Sequence, residues 1–341
     1  MRPGSTGKVV GEDQTMTGLS DSFQRPINYL RISVTDRCNL RCIYCMPTSG
    51  VNLLPRNDML SYEEIAMVAR AAAGLGITKI RISGGEPLVR SDLPQLVAML
   101  NKIDAIDDLA LSTNATLLQA HAAELKNAGL RRVNISLDSL KPDRFEQITR
   151  QGHLSQVLQG IEAAQAAGLH PVKINMVVLR GINDDEVLDF AFKSQQDGWN
   201  VRFIELMPLS QTGLSSHFVS TAEIKQGLAS LGELQPCQSE KGNGPARYFR
   251  LPGASGTIGF ISPISEHFCV GCNRLRLTAD GRLRPCLLAD DEISLRQKLR
   301  AGTSIAELSE LIRQAAAAKP ERHNLGQGST SPQRPMAQVG G

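Results

Sequence analysis

The sequence lacks the features that mark membrane, secreted and nucleic-acid-binding proteins. It contains no run of about 18 apolar residues, the length that crosses a bilayer. Residues 1–25 have no apolar core of a signal peptide and include Glu12 and Asp13, so they predict a disordered leader. The net charge is only +3, which is too small to indicate sequence-independent electrostatic binding to nucleic acid. We therefore expect a cytoplasmic protein with no membrane or nucleic-acid partner.

Cysteines are few and odd in number. The chain has 7 of them and no secretory signal, which argues against a disulfide framework. Reduced thiols of this kind serve as metal ligands or as a catalytic nucleophile. Six of the seven fall into two groups of three, and these groups carry most of the functional argument.

A repeated strand-then-helix rhythm organises the first 210 residues. Short runs rich in Ile, Val and Leu alternate with amphipathic, Ala-rich stretches, which predicts strands buried on both faces and crossover helices. The predicted strands are 29–35, 79–83, 109–113, 132–137, 172–179 and 200–206. The predicted helices are 62–73, 93–102, 119–128, 154–167 and 185–196. Ser61-x-x-Glu64 is a capping box that fixes the start of the first helix.

Six such units indicate the α/β class, with a parallel sheet and right-handed crossovers. The pattern leaves open whether the sheet is a curved partial barrel or an open doubly wound sheet. The rhythm fails after about Leu209, although a helix is predicted at 305–318. We expect a leader (1–25), a barrel (26–210), a C-terminal substrate and cluster region (211–325) and a disordered tail (326–341).

The first cysteine group, Cys38, Cys42 and Cys45, follows the first predicted strand with the spacing C-x3-C-x2-C. Three thiolates on one loop suit zinc or an iron–sulfur cluster. Structural zinc takes four closed ligands, and no histidine lies near enough in sequence to complete the set. Three cysteines on a cubane leave one iron open for chemistry.

The second group, Cys269, Cys272 and Cys286, has the spacing C-x2-C-x13-C. A zinc ribbon with Cys237 or His267 as fourth ligand is the alternative. Against it, Cys272 is followed by Asn-Arg-Leu-Arg, which places two guanidiniums beside the metal. Arginine pairs with phosphate through two parallel hydrogen bonds and suits a substrate site better than a structural zinc knuckle.

The first group resembles the cluster motif of the radical S-adenosylmethionine superfamily, in which an aromatic residue, here Tyr44, precedes the third cysteine. Ser83–Pro87 is similar to the superfamily's Gly-Gly-Glu-Pro motif for the methionine end of the cofactor. Glycines there allow close approach of carbonyls to an ammonium group, and Glu86 can add charge. The resemblance implies a partial (β/α)6 TIM-type barrel, with a C-terminal extension that carries a second iron–sulfur cluster.

The second group and its Asn-Arg-x-Arg insert resemble one branch, the GTP 3′,8-cyclases, as do Arg202–Pro208 and the terminal Gly340-Gly341. The likeness runs from about Tyr29 to Gly341. It implies conversion of GTP to (8S)-3′,8-cyclo-7,8-dihydroguanosine 5′-triphosphate, the first step of molybdenum cofactor biosynthesis. It also implies two 4Fe–4S clusters and S-adenosylmethionine as cofactors, a flavodoxin or ferredoxin as electron donor, and a downstream cyclic pyranopterin monophosphate synthase. A monomer or homodimer is expected.

The resemblance also implies the roles of individual residues. The contacts to S-adenosylmethionine are Tyr44, Gly85, Ser136 and Met207. The contacts to GTP are Arg31, Arg81, Ser112, Lys173, Arg202, Arg274, Leu275 and Arg276, with Arg274 and Arg276 also catalytic. The residues themselves agree, because cations in the strands of an otherwise apolar barrel are costly unless an anion such as a triphosphate pairs with them.

Two departures and two rivals complete the expectations. The branch commonly has Thr at position 112 and Gly at position 115; Ser112 keeps the hydroxyl, but Ala115 resists a left-handed backbone and puts the loop geometry in question. The implied insertion of Gly340-Gly341 into the site conflicts with a disordered tail. One rival is another radical enzyme with an auxiliary cluster, such as a peptide maturase, which usually has more cysteines after the barrel. The other is a zinc-dependent nucleic-acid-binding protein, which would be colourless.

Overall fold

The computed structural model describes residues 18–207, 213–238, 241–323 and 334–340. The strands are β1 (Tyr29–Ser33), β2 (Lys79–Ser83), β3 (Asp108–Thr113), β4 (Arg132–Ser136), β5 (Val172–Val178), β6 (Asn200–Glu205), β7 (Gln235–Cys237), β8 (Arg247–Arg250), β9 (Thr257–Ile261), β10 (Arg274–Leu277), β11 (Arg282–Arg284) and β12 (Ile293–Ser294). The helices are α1 (Tyr62–Gly74), α2 (Leu93–Asn101), α3 (Leu118–Asn127), α4 (Pro142–Thr149), α5 (Leu154–Ala166), α6 (Val187–Gln196), α7 (Thr221–Leu228), α8 (Arg296–Arg300), α9 (Ile305–Ala317) and α10 (Met336–Val339). The six predicted strands and the six predicted helices are confirmed to within about two residues at each end, while α4, α7, α8 and α10 were not predicted.

Strand order decides between the two sheet architectures. The order is β12-β11-β10-β1-β2-β3-β4-β5-β6-β9-β8-β7, and β1 to β6 are parallel neighbours in chain order. A doubly wound sheet reverses its strand order at a switch point, and this sheet does not. The expected partial barrel is confirmed. Strands β9 and β10 from the C-terminal region continue it in parallel beside β6 and β1.

The strands present different chemistry on their two faces. Leu30 and Ile32 of β1 belong to the hydrophobic core, together with side chains of the helices that cover the sheet. Their neighbours Tyr29 and Arg31 line the cavity on the inner face of the barrel. The strands are largely buried on both faces, as expected, but their side chains alternate between an apolar outer face and a polar interior.

The segment before β1 is packed in the fold, although the sequence assigned it to a leader. Leu19 donates its backbone N–H to the carbonyl of Leu75 at 2.9 Å, and Ile27 donates to Leu19 at 2.7 Å. Arg25 is buried and its Nε lies 2.5 Å from Asp21 Oδ2. The folded chain therefore starts before residue 25, while residues 1–17 lie outside the described residues.

The capping box at Ser61 and the backbone of Ala115 are two local features on which the sequence made a prediction. The capping box of α1 forms, since Glu64 N donates to Ser61 Oγ at 3.2 Å and Ser61 N donates to Glu64 Oε2 at 2.7 Å. Ala115 adopts a left-handed backbone, with φ +62°, so the loop keeps this geometry although the conformation is unfavourable for alanine. Its N–H donates to Thr113 Oγ1 at 2.9 Å, which helps to offset a cost of about 1–2 kcal/mol.

The carbonyl of Ala115 lies against Gly160 of α5, and this contact yields a stability prediction. A Cβ on Gly160 would collide with the Ala115 carbonyl oxygen, which is backbone and cannot rotate away. Gly160→Ala is therefore expected to lower the free energy of unfolding by about 2 kcal/mol. Gly227 of α7 is the matched control, because its substitution meets open space, and Gly227→Ala should raise stability by about 0.5–1 kcal/mol. Chemical denaturation measures both, and equal effects would contradict the packing.

Candidate active site

One cavity of about 300 Å³ occupies the inner face of the barrel. Residues of β1 to β6 and of β10 line it, together with the loops that follow their carboxyl ends. Six cysteines from the two predicted groups face this same cavity: Cys38, Cys42, Cys45, Cys269, Cys272 and Cys286. Groups more than 200 residues apart in sequence therefore open onto one enclosed volume.

The first cysteine group, which we call the first triad, is a compact loop with suppressed ionisation. Cys45 N donates to the carbonyl of Cys42 at 3.0 Å, which turns the chain so that the thiols converge. Burial raises the pKa of Cys38 to about 11 and that of Cys45 to about 12. Such thiols ionise when a metal cation compensates the lost solvation, so this loop fits a soft cationic group and not a free reactive thiolate.

Asp138 anchors this loop to the sheet. Tyr44 donates its hydroxyl to Asp138 Oδ2 at 2.7 Å, and Val177 of β5 donates its N–H to Oδ1 at 2.9 Å. Burial raises the pKa of Asp138 to about 6, while the hydrogen bond from Tyr44 favours the charged form. Sequence reasoning missed this residue, because no motif marks a carboxylate that acts from a distant strand.

Glu86 of the Gly-Gly-Glu-Pro motif joins the ends of β2 and β3. Its Oε1 accepts from Thr113 Oγ1 at 2.7 Å and from Leu88 N at 3.1 Å, and its Oε2 accepts from Asn114 N at 2.7 Å. Three protein donors therefore occupy the carboxylate that the sequence assigned to a ligand ammonium. Gly85 is required for a different reason, since a Cβ there would lie 2.9 Å from the Asp36 carbonyl oxygen.

Guanidiniums from three adjacent strands stand side by side in the cavity. Arg31 of β1 is in register with Arg81 of β2 and with Arg276 of β10. Burial, followed by repulsion from Arg276 and Arg81, holds the pKa of Arg31 well below its usual range. Within the described residues, the buried Nε atoms of Arg81 and Arg202 have no hydrogen-bond partner. A wall of this kind demands a polyanion.

The described part of the C-terminal tail enters the cavity. Gly340 accepts hydrogen bonds through its carbonyl from Ser83 Oγ at 3.2 Å and from Arg276 Nη1 at 3.3 Å. Arg334 fastens the segment by pairing with Asp280 at 2.9 Å. The expectation of disorder does not hold for residues 334–340, and Gly341 lies outside the described residues.

The structure separates the sequence-predicted contacts into two sets. Those that line the cavity are Tyr44, Gly85, Ser136, Met207, Arg31, Arg81, Ser112, Arg202, Arg274 and Arg276. Leu275 does not, because strand alternation turns its side chain into the hydrophobic core opposite Leu30, so only its backbone is available for the predicted substrate contact. Lys173 also lies off the cavity wall, where its Nζ donates to the Lys241 carbonyl at 2.6 Å and to Tyr248 Oη at 3.3 Å.

Several cavity residues were not predicted at all. Tyr29 and Asn175 have buried side-chain oxygens, Oη and Oδ1, without a partner in the described part of the chain. Both occupy inward positions of β1 and β5. The period-two alternation of the strands was the signal that could have identified them.

The surroundings of the second cysteine group, which we call the second triad, are cationic. Burial raises the pKa of the Cys272 thiol, but Arg274 and Lys319 outweigh it and bring the value to about 7. Ring nitrogens of His267 and His323 and the sulfur of Cys269 all lie within 4.8 Å of one another. His267 is thus close enough to serve as the fourth ligand of the zinc alternative, whereas Cys237 belongs to β7 and does not line the cavity. Geometry alone leaves both metals open at this triad.

Comparison with known proteins identifies the class of enzyme to which the chain belongs. Residues 32–193 match the Radical SAM superfamily, and residues 199–325 match the family described as Molybdenum Cofactor Synthesis C. The structure resembles that of SuiB from Streptococcus suis bound to S-adenosylmethionine, with a TM-score of 0.59 over 84% of this chain and 68% of that chain. At 14% identity this likeness shows the fold alone. Fold and first triad together define a radical S-adenosylmethionine protein.

Closer relatives narrow the class. The chain is 52% identical over 324 residues to GTP 3′,8-cyclase of Moorella thermoacetica, covering 95% of this chain and 100% of the relative. It is also 52% identical over 326 residues to GTP 3′,8-cyclase of Pelotomaculum thermopropionicum, with the same coverage. The chain belongs to the GTP 3′,8-cyclase family.

Proposed function

We propose that this enzyme converts GTP into (8S)-3′,8-cyclo-7,8-dihydroguanosine 5′-triphosphate, the first step of molybdenum cofactor biosynthesis. The observation that carries the proposal is the shared cavity: two cysteine triads and a wall of buried guanidiniums face one volume. The family relationship specifies the substrate that this arrangement suits. Neither rival, the peptide maturase or the zinc-dependent nucleic-acid-binding protein, is supported by relatives that match the chain at this level of identity.

The cavity fits the cofactors of this chemistry. Each triad would hold a 4Fe–4S cluster by three thiolates, with one iron left free. Cys38, Cys42 and Cys45 would hold the cluster that, with S-adenosylmethionine bound, would supply the one electron needed to cleave a carbon–sulfur bond of that cofactor. Tyr44, Gly85, Ser136 and Met207 line the adjoining surface and are the proposed contacts to S-adenosylmethionine.

The protein contributes binding and alignment of GTP. Arg31, Arg81, Arg202 and Arg276 would pair with the triphosphate, whose negative charge offsets the burial of these cations. Arg274 is held near the second triad, with its guanidinium 5.4 Å from the Phe268 ring centroid. We assign Arg274 and Arg276 a catalytic role, because they lie where the guanine must approach the second cluster. Holding C3′ close to C8 would favour closure of the ring.

The proposal extends to setting and partners. Seven cysteines without a disulfide suit a reducing compartment, and the proposed location is the cytoplasm. No helix among the described residues has the length and apolarity to cross a membrane. A flavodoxin or ferredoxin would deliver the electron, and a cyclic pyranopterin monophosphate synthase would consume the product. We propose a monomer or homodimer.

Anaerobic incubation with GTP, S-adenosylmethionine and a strong reductant tests the function. Mass analysis should show 5′-deoxyadenosine together with an isomer of GTP that has an additional bond between C3′ of the ribose and C8 of the guanine. No 5′-deoxyadenosine from iron-replete enzyme would defeat the radical mechanism. Formation of 5′-deoxyadenosine without a cyclised nucleotide would keep the mechanism and reject the substrate.

A further inference from the structure

Lys319 is a buried lysine at the second triad that no motif marks. It follows the end of α9 by two residues and lines the cavity with only 3% of its surface exposed. Its Nζ donates to the carbonyl of Pro285, the residue before Cys286, at 2.6 Å and to the carbonyl of Arg274 at 2.8 Å. The contact with Pro285 places the ammonium beside Cys286, and the two carbonyls accept two of its three N–H groups.

The charge of Lys319 has no carboxylate partner among the described residues. A buried ammonium is costly unless an anion offsets it. The anions within reach are the sulfurs of Cys272 and Cys286, which both favour the charged lysine. Lys319 is therefore built to face negative charge at this triad, and cluster thiolates supply that charge.

The first triad has the opposite surroundings. Asp138 repels negative charge on Cys42, and Glu86 repels it on Cys38. A cation near a cluster stabilises its reduced, more negative form, whereas an anion stabilises the oxidised form. The two sites therefore differ in the charge that lies beside their cysteines.

We propose that Lys319 sets the reduction potential of the second cluster. Its ammonium raises that potential by its positive charge, and its contacts with the carbonyls of Arg274 and Pro285 hold it beside the segments that carry Cys272 and Cys286. This inference rests on the proposed ligand assignment at the second triad. It adds a residue that tunes the cluster without being a ligand or a substrate contact.

The test uses a background variant in which Cys38, Cys42 and Cys45 are all alanine, so that the signal comes from the second cluster alone. Lys319→Met keeps the length of the side chain and removes its charge and donors. Redox titration followed by electron paramagnetic resonance should show a potential at least about 59 mV lower, a tenfold change in a one-electron equilibrium. Lys319→Arg should recover most of the shift. Lys126→Met is the control, since Lys126 also donates to a carbonyl, that of Gly168 at 2.6 Å, and does not line the cavity.

The iron content of the variants distinguishes a wrong ligand assignment at the second triad from a wrong role for Lys319. The background variant should bind about four irons; if it binds none, the ligand assignment fails, and the inference fails with it. If iron is bound and Lys319→Met leaves the potential unchanged, the inference is overturned while the proposed function stands. Should Lys319→Met lose its iron, Lys319→Gln keeps an N–H donor without the charge. A lowered potential in that variant supports the proposal, and an unchanged one overturns it.

Discussion

Replacing Cys38 with alanine is expected to abolish 5′-deoxyadenosine formation, with a rate loss of at least about 10⁴-fold, or roughly 5.5 kcal/mol of activation free energy. Three cysteines are the smallest set that holds a cubane and leaves one iron open, and two do not hold it. Burial raises the pKa of the Cys38 thiol to about 11, so the thiol is protonated at neutral pH. Its role therefore depends on a metal and not on a free thiolate. Chromatography of anaerobic reactions measures the nucleoside directly.

Cys237 supplies the control for this experiment. It is a free cysteine in β7 and does not line the cavity. Cys237→Ala should retain activity within about twofold and the full iron content. A Cys38→Ala enzyme that still forms 5′-deoxyadenosine at the wild-type rate would remove the first triad from the mechanism.

Replacing Arg81 with methionine is expected to weaken GTP binding while stabilising the empty protein. The guanidinium is half-buried, its buried Nε has no partner in the described residues, and desolvation lowers its pKa to about 10. We expect KM for GTP to rise about 100-fold, equivalent to roughly 2.7 kcal/mol. Tm should stay unchanged or rise, because an uncompensated buried charge and its repulsion with Arg31 are removed.

The opposite signs of these two effects make the Arg81 prediction specific. A residue that only supported the fold would lower Tm when replaced and change KM little. The contact of the Arg81 guanidinium with the Tyr29 ring, 5.5 Å from its centroid, is lost too, at a cost of about 1 kcal/mol at most. Arg313→Met on the exposed face of α9 is the control and should move neither quantity. A lower Tm with unchanged KM would refute the role.

The sequence predicted the parallel sheet well because each βα unit carries its own local signals. Apolar runs specify β1 to β6, and the capping box at Ser61 fixes the start of α1. Strand order was not predictable from these patterns, because it depends on which strands pair across the sheet. Strands β9 and β10 were missed for the same reason, since short segments among Gly and Pro residues become strands only by pairing with the barrel edges. Helix α4 begins at a proline and has few apolar residues, so its sequence has no clear helical periodicity and the helix was not predicted.

The site was predictable only where its residues are neighbours in sequence. Cysteine spacing identified both triads, and the structure brings both to one cavity. Leu275 lies between two arginines that line the cavity, but strand alternation turns its side chain into the core, which the sequence motif did not indicate. Asp138 and Lys319 reach the triads from other elements, through contacts that no spacing encodes. Ala115 shows the reverse case, where hydrogen bonds held by the fold override a local preference.

Transfer of deuterium tests most directly whether the two triads and GTP share one reaction volume. Closure between C3′ and C8 requires the hydrogen on C3′ to leave, and the proposed site holds that carbon beside the S-adenosylmethionine-binding surface. GTP labelled with deuterium at C3′ should yield 5′-deoxyadenosine that carries one deuterium, as read by mass spectrometry under single-turnover conditions. Unlabelled 5′-deoxyadenosine formed together with the cyclised product would contradict the account.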